Sequence, residues 1–265
     1  MMAPHESTGD DRAYRVEALA KGLRILALFS DRRPALRLKE IVALSGLPMP
    51  TAFRLVATLA SEGFLERLPD GGVRPGTAVL TLGFAALHGL DLVQTSAAIL
   101  RDLAGETRQT VNLGVLSDDE VLYVVRLYGN ALVTANVTVG SRLPAVVTSM
   151  GKVLLAALPD DQLGEHVDES SFKGTWGPNA VASMKALRKQ LARVRADGYA
   201  VQDEELARGL RSIAAPVRQA NGEVVAALNI AVAAAEFSVS RLVKTLRDPL
   251  LRACAHVSLR LGAQG

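Results

Sequence analysis

The chain has 265 residues, 49% of them hydrophobic, and a formal net charge of +3. That length suits two domains with cores of their own, and the apolar content excludes a disordered polypeptide. A single cysteine, Cys254, excludes an internal disulfide framework and a Cys-based zinc site, and neither metal nor cofactor is expected.

The opening residues 1–13 have neither a basic segment nor an apolar one of the signal-peptide type, and they read as a disordered tail. The longest apolar run, Val224 to Ala235, is interrupted by Asn229 and too short to span a bilayer, so the expectation is a soluble, cytoplasmic protein with no membrane partner. Residues 14–30 read as an amphipathic helix with Val16, Leu19, Leu23, Leu26 and Ala27 as its inward stripe. Around it the charge is locally basic: Arg12, Arg15, Lys21, Arg24, Arg32, Arg33, Arg37 and Lys39 stand against Glu17 and Asp31. Such an excess suits a phosphate-facing surface.

Leu36 to Gly63 reads as two short helices around a tight turn. Leu38, Ile41 and Val42 form one helical face, Ser45-Gly46-Leu47-Pro48 breaks it, and Ala52, Leu55, Val56 and Leu59 form the next. The opposite face of residues 49–62 carries Pro50, Thr51, Arg54, Thr58 and Ser61, with no acid before Glu62. A polar, acid-free face with one arginine suits the major groove, so this unit is a helix-turn-helix candidate. Met49 and Pro50 would start the recognition helix; Thr51, Arg54 and Thr58 would face DNA. Phe64–Leu68, Pro69-Asp70-Gly71-Gly72 and Val73–Gly76 then read as strand, turn and strand, the wing of a winged helix. Arg67 and Arg74 stand where phosphates would meet it.

Residues 77–90 read as a helix apolar over most of its circumference, which calls for a partner surface such as the same helix of a second subunit. From 91 to 265 the pattern is that of an α+β domain on an antiparallel sheet. It has a helix at 92–107, strands at Thr110–Leu116, Glu120–Leu127 and Leu132–Val139, and a helix at Gly151–Leu158. An amphipathic helix at Met184–Asp197 is stopped by Gly198; strands Ser212–Arg218 and Val224–Val232 flank Asn221-Gly222. Val239–Leu261 closes the chain as a helix with Pro249 inside it.

Three segments of this domain could line one pocket. Leu143–Lys152 runs into a helix start, where Thr148 or Ser149 can cap and free N–H groups could hold an anion. Tyr199–Glu205 reads as a run entering a loop, and Gly209–Pro216 enters the hairpin, with Asn229 and Ala231 on the strand beyond. Gly151-Lys152 is not a phosphate loop, because Val146 stands where the first glycine should be and Val153 where Ser or Thr should. Ser149, His166 and Asp203 could be written as nucleophile, base and orienter, but no G-x-S-x-G elbow accompanies them.

Taken together, K-G-L-R-I-L at 21–26, S-G-L-P at 45–48, T-A-F-R-L-V-A-T-L-A-S-E-G-F-L at 51–65, G-S-R-L-P-A with T-S-M-G-K-V-L-L-A at 140–156, D-G-Y-A-V-Q-D-E-E-L-A-R-G-L-R-S-I-A-A-P-V at 197–217 and G-E-V-V-A-A-L-N-I at 222–230 resemble the IclR family of bacterial transcriptional regulators. The resemblance spans about Tyr14 to Leu261. It implies a winged helix-turn-helix over 14–76, a dimerising linker helix over 77–90 and a GAF-like effector domain over 91–265. It further implies dimers, often tetramers, on palindromic double-stranded promoter DNA, and a small organic acid as effector. Position by position, the family's pocket falls on Ser149 and Met150 at the helix start, with Gly151 beside them, and on Gln202, Ser212, Asn229 and Ala231. Gln202 stands where the family often has an acid, and Asp203 follows it; Val73-Arg74-Pro75-Gly76 replaces a Tyr-Arg-Leu-Gly type of wing sequence. R-L-P-A…T-S-M-G and D-E-E-L…G-L-R-S-I-A look most like regulators of aromatic-acid catabolism. The acid's carboxylate is then expected at Ser149–Gly151, with Arg211 as charge partner. The alternative is a small-acid-processing enzyme with an appended DNA-binding module.

Overall fold

The computed structural model describes residues 15–30, 33–89, 91–129 and 137–263. The chain divides into two compact units, 1–86 and 87–265.

In the first unit, α1 (Glu17–Leu26) precedes a short strand β1 (Leu36–Arg37), then α2 (Leu38–Ser45) and α3 (Met49–Ser61). The turn forms as its residues require: Gly46 caps α2 with φ 68°, and Pro48 precedes α3 in extended conformation. Strands β2 (Leu65–Arg67) and β3 (Gly72–Pro75) make the wing, with Glu66 opposite Arg74. Gly71, at φ 82°, closes the turn, while the Asp70 carboxylate accepts from the Gly72 N–H. β1 adds a third strand on the far side of β3, which the sequence did not suggest.

The core is Ile25, Leu36, Ile41, Ala52, Val56, Leu65 and Val73. This corrects the expected face of α1. Ile25 is buried, whereas Val16, Leu19 and Leu23 are 63%, 61% and 56% exposed. A unit this small covers one side of α1, and the Gly22–Ile25 side is the one it covers. Nor does the helix run from 14 to 30: after Leu26 the N–H groups of Leu28 and Phe29 turn back to carbonyls three residues earlier, which tightens and ends it. The tail expected over 1–13, Tyr14 and the charged pair Asp31-Arg32 lie outside the described residues.

Helix α4 (Thr77–Gly89) follows the wing, and Leu80 and Leu82 are 62% and 58% exposed. The second unit is built on one antiparallel sheet of six strands. They are β4 (Thr110–Ser117), β5 (Glu120–Leu127), β6 (Arg142–Pro144), β7 (Ala200–Asp203), β8 (Leu210–Arg218) and β9 (Val224–Ala233), in spatial order 6-5-4-9-8-7. One face packs against α5 (Asp91–Thr107) and α9 (Val239–Arg260) through Leu100, Leu113, Ile213, Leu228, Leu246 and Leu250. The other packs against α6 (Ser149–Ala157) and α8 (Met184–Asp197) through Met150, Leu154, Leu187, Leu191, Ala214 and Ala227. Gly198 ends α8 at φ 77°, and Gly222 turns the β8–β9 hairpin at φ 81°. A short helix α7 (Leu163–His166) lies between α6 and α8 in the chain.

Two local expectations change. Tyr199–Glu205 contains strand β7 rather than only a loop approach. Most of the strand expected at Leu132–Val139 lies outside the described residues, and Val137–Gly140 is not strand. Among the described residues the strand beyond β5 is β6, ended by Pro144, whose missing N–H is tolerated at a sheet edge. Among the described residues no single helix is long and apolar enough to cross a membrane.

Candidate DNA-binding face and effector cavity

The outward face of α3 carries Pro50, Arg54 and Thr58, all exposed, with Thr51 half-buried at its edge. Thr58 turns its hydroxyl onto the Arg54 carbonyl at 3.0 Å. Arg54 and Arg67 make no ion pair among the described residues, whereas Arg74 is held by Glu66 at 2.9 Å across the wing. That contact keeps the Arg74 guanidinium above its ordinary pKa, and phosphate would have to share it with Glu66. Met49 and Phe53 are 41% and 53% exposed on the flank of the same helix. Phe53 was not singled out in the sequence, although its position off the Ala52–Val56 stripe marks it; an exposed aromatic there suits a thymine methyl.

In the second unit the residues facing α6 form a small cavity. Side chains alternate along strands, so Asn112 on β4, Gln202 on β7, Ser212 on β8, and Asn229 and Ala231 on β9 point the same way. With Arg126 they line it; Tyr123, Val137, Leu143, Leu206 and Leu210 supply the less polar wall, and Thr148 the α6 end. The volume open to the centre of a water molecule is about 20 Å³, room for about one water. An effector with a ring would need the walls to part.

The polar lining is connected. Asn112 Nδ2 donates to Asn229 Oδ1 at 2.7 Å, and Arg126 Nη1 donates to Asn112 Oδ1 at 3.0 Å. Ser149 and Ser212 share a hydroxyl hydrogen bond at 2.7 Å, and the Ser212 hydroxyl donates to Gln202 Oε1 at 3.4 Å. Burial pushes the Tyr123 phenol well above its ordinary pKa, against the opposing pull of Arg126.

Gln202, Ser212, Asn229 and Ala231 are thus brought together as expected, and Ser149 reaches the cavity through Ser212. Met150 and Gly151 do not line it: Met150 is buried in the apolar cluster beneath α6, and Gly151 packs against the backbone of Ala145. Thr148 is the helix cap, and it occupies the N–H of Gly151 at 3.1 Å, so that donor is not free for an anion.

Asp203 and Arg211 are corrections. They pair across β7 and β8, and strand alternation turns both away from Gln202 and Ser212. Arg211 is spent there, donating to Asp203 at 2.6 Å and to the carbonyls of Ala234 and Phe237 at 2.8 Å each. It is not available as the charge partner of a ligand in the cavity. The basic residue that does reach the cavity is Arg126, which the sequence reading missed.

The nucleophile–base–orienter arrangement does not form. Ser149 is bound to Ser212, His166 Nδ1 lies on the carbonyl of Asp118, and Asp203 is bound to Arg211. Cys254 is buried against the Ala215 carbonyl, and burial raises its thiol pKa. A thiol reagent should therefore label this single cysteine only after unfolding, a time course readable against denaturant.

Comparison with known proteins agrees with this architecture. The profile described as bacterial transcriptional regulator IclR C-terminal matches residues 84–259, and that of the IclR helix-turn-helix domain matches 18–69. The chain is 31% identical over 248 residues to the HTH-type transcriptional regulator XynR of Escherichia coli K12, covering 93% of this chain and 98% of that protein. It is 32% identical over 240 residues to the Pca regulon regulatory protein of Pseudomonas putida, covering 89% and 81%. Among solved structures, an IclR homolog from Microbacterium hydrocarbonoxydans complexed with 4-hydroxybenzoate superposes with a TM-score of 0.76 at 30% identity, over 92% of this chain and 98% of that one. With both domains matched in order along nearly the whole chain, the protein belongs to the IclR family of bacterial transcriptional regulators.

Proposed function

We propose that this regulator binds a palindromic promoter site as a homodimer or tetramer and releases or tightens it in response to a small organic acid of the aromatic-catabolism group. One observation carries the DNA half: an exposed, acid-free face of α3 with Arg54 unpaired among the described residues, beside a wing that presents Arg67. The exposed Leu80 and Leu82 of α4 support a subunit contact there. The acid is supported by the likeness to the Pca regulon protein and to the 4-hydroxybenzoate-bound homolog. The acid acts by linkage: it changes DNA affinity only as far as it binds the DNA-competent and incompetent arrangements differently.

On DNA, Thr51 and Arg54 read bases with Met49 and Pro50 at the helix start, while Thr58, Arg67 and Arg74 meet the backbone. Arg54→Ala is expected to weaken binding to the operator by about 1–3 kcal/mol while barely changing binding to random DNA. Fluorescence anisotropy on the DNA upstream of the gene and on a scrambled fragment checks this. An equal loss on both would assign Arg54 to phosphate. The same assay at two salt concentrations, with and without protocatechuate, tests the whole reading: selective binding that shifts with the acid is the expected result, and no selective binding at the gene's own promoter or at any site in a genome-wide binding assay would overturn it.

A further inference from the structure

The cavity has a surplus of donors. Its side-chain carbonyls are engaged: Asn229 Oδ1 by Asn112, Asn112 Oδ1 by Arg126, and Gln202 Oε1 by Ser212. What lacks a partner among the described residues is Arg126 Nε and Gln202 Nε2, both atoms buried. Gln202 is 1% exposed. Buried donors without acceptors are costly, and a guanidinium beside an amide matches the two oxygens of a carboxylate. Arg126 is also held in place before any ligand arrives, with Nη1 on Asn112 and its guanidinium carbon 4.9 Å from the centre of the Tyr128 ring.

A local irregularity aims it. The β4–β5 register shifts between Leu113 and Gly114, so Leu113 opposes Val125 while Gly114 opposes Tyr123, and Val124 is the extra residue. Tyr123 and Arg126 are an odd number of residues apart, yet the bulge puts both on the cavity side.

We propose that Arg126, with the Gln202 amide, is the carboxylate clamp of the effector site, and that it makes the cavity select an acid over its neutral amide. This rests on the reading above that the effector is an organic acid. It moves the charge contact from the α6 start and Arg211 to β5. A carboxylate offers acceptors only and fills both vacant donors; a carboxamide brings an N–H₂ that meets another donor and no countercharge for the guanidinium.

The test uses the full chain and three acids (4-hydroxybenzoate, protocatechuate and pyruvate) against their carboxamides. Binding is read as a thermal shift through the fluorescence of Trp176, the chain's single tryptophan, which lies in the effector unit. At least one acid should stabilise the protein and its amide should not. Arg126→Met should weaken that acid about tenfold to hundredfold, and Gln202→Leu should weaken it less. If Arg126→Met does not fold, Arg126→Gln keeps an N–H donor near the Nε position while removing the charge and the outer guanidinium nitrogens, and should show the same loss. Equal binding of acid and amide, undiminished acid binding by a folded Arg126 variant, or no response to any of the acids would each overturn the clamp. Selective DNA binding by the ligand-free wild type is measured in parallel: its presence separates a failed clamp from a failed regulator.

Discussion

Replacing Lys152 by Met is expected to destabilise the effector unit by about 3–5 kcal/mol, because it leaves a buried carboxylate without its counter-ion. Lys152 is on α6, 2% exposed, and is the largest of the fully buried side chains. Its ammonium donates to Glu205 Oε1, and to the Val201 carbonyl at 3.4 Å. Glu205 is 5% exposed, and its second oxygen has no partner among the described residues. Burial pulls the Lys152 pKa down and pushes that of Glu205 up; in each case the partner's charge opposes the shift. The pair is thus held by mutual attraction in a place that favours neither charge alone.

The cycle is the decisive form of the experiment. Glu205→Leu alone strands the ammonium and should cost a similar amount, whereas Lys152→Met with Glu205→Leu removes both charges and should lie much nearer the wild type than the sum of the singles. Thermal unfolding followed by Trp176 reports it, at roughly 2–4 °C per kcal/mol for a unit of this size. Additive losses would show that packing, not charge, holds Lys152. The pH dependence has a definite sign. In Lys152→Met, Glu205 loses the partner that lowers its pKa, so its folded value rises further above the ordinary 4.5. A carboxyl with a raised folded pKa contributes its stability below the unfolded value and loses it as pH rises through the folded one. The deficit of the variant should therefore be largest at neutral pH and shrink as pH falls toward 4.5.

The second large effect is expected at Gly151. A Cβ added there would stand 2.1 Å from the carbonyl oxygen of Ala145 and 2.3 Å from its Cα. Those are backbone atoms of the 3-10 turn Ala145–Val147, which is buried and cannot swing aside as a side-chain end would. Gly151→Ala must push the start of α6 off that turn, and should lower the stability of the effector unit by about 1–3 kcal/mol or more. The displaced segment holds Thr148, which lines the cavity, and Ser149, which is bonded to Ser212, so acid binding should weaken as well. Gly164 is the matched control: it lies in α7, where an added Cβ meets nothing within 4 Å. Gly164→Ala should be neutral or slightly stabilising. Equal melting of the two variants would contradict the close-approach argument for the T-S-M-G-K segment.

Much of the fold was legible without coordinates because its signals are local. Periodicity marked α2, α3 and α8, and Gly46, Gly71, Gly198 and Gly222 stand at positive φ where turns and caps were read. The hairpins β2–β3 and β8–β9 follow from those turns, and the ordered motifs carried the family resemblance. The family resemblance implied a pocket at Gln202, Ser212, Asn229 and Ala231, and the structure brings these four side chains to one cavity.

What it could not decide is which way certain side chains point, because that depends on partners distant in the chain. Helix α1 offers two apolar faces, and only its packing selects Ile25 over Leu19 and Leu23. Asp203 and Arg211 turn to each other because β7 is a strand in register with β8, a pairing that no local signal in Tyr199–Glu205 revealed. Arg126 reaches the cavity through a bulge that breaks the two-residue alternation. Lys152 and Glu205, 53 positions apart, meet only when α6 is laid on the sheet. Backbone conformation follows from neighbouring residues; the direction of a charge follows from register and packing, and those are set by the whole chain at once.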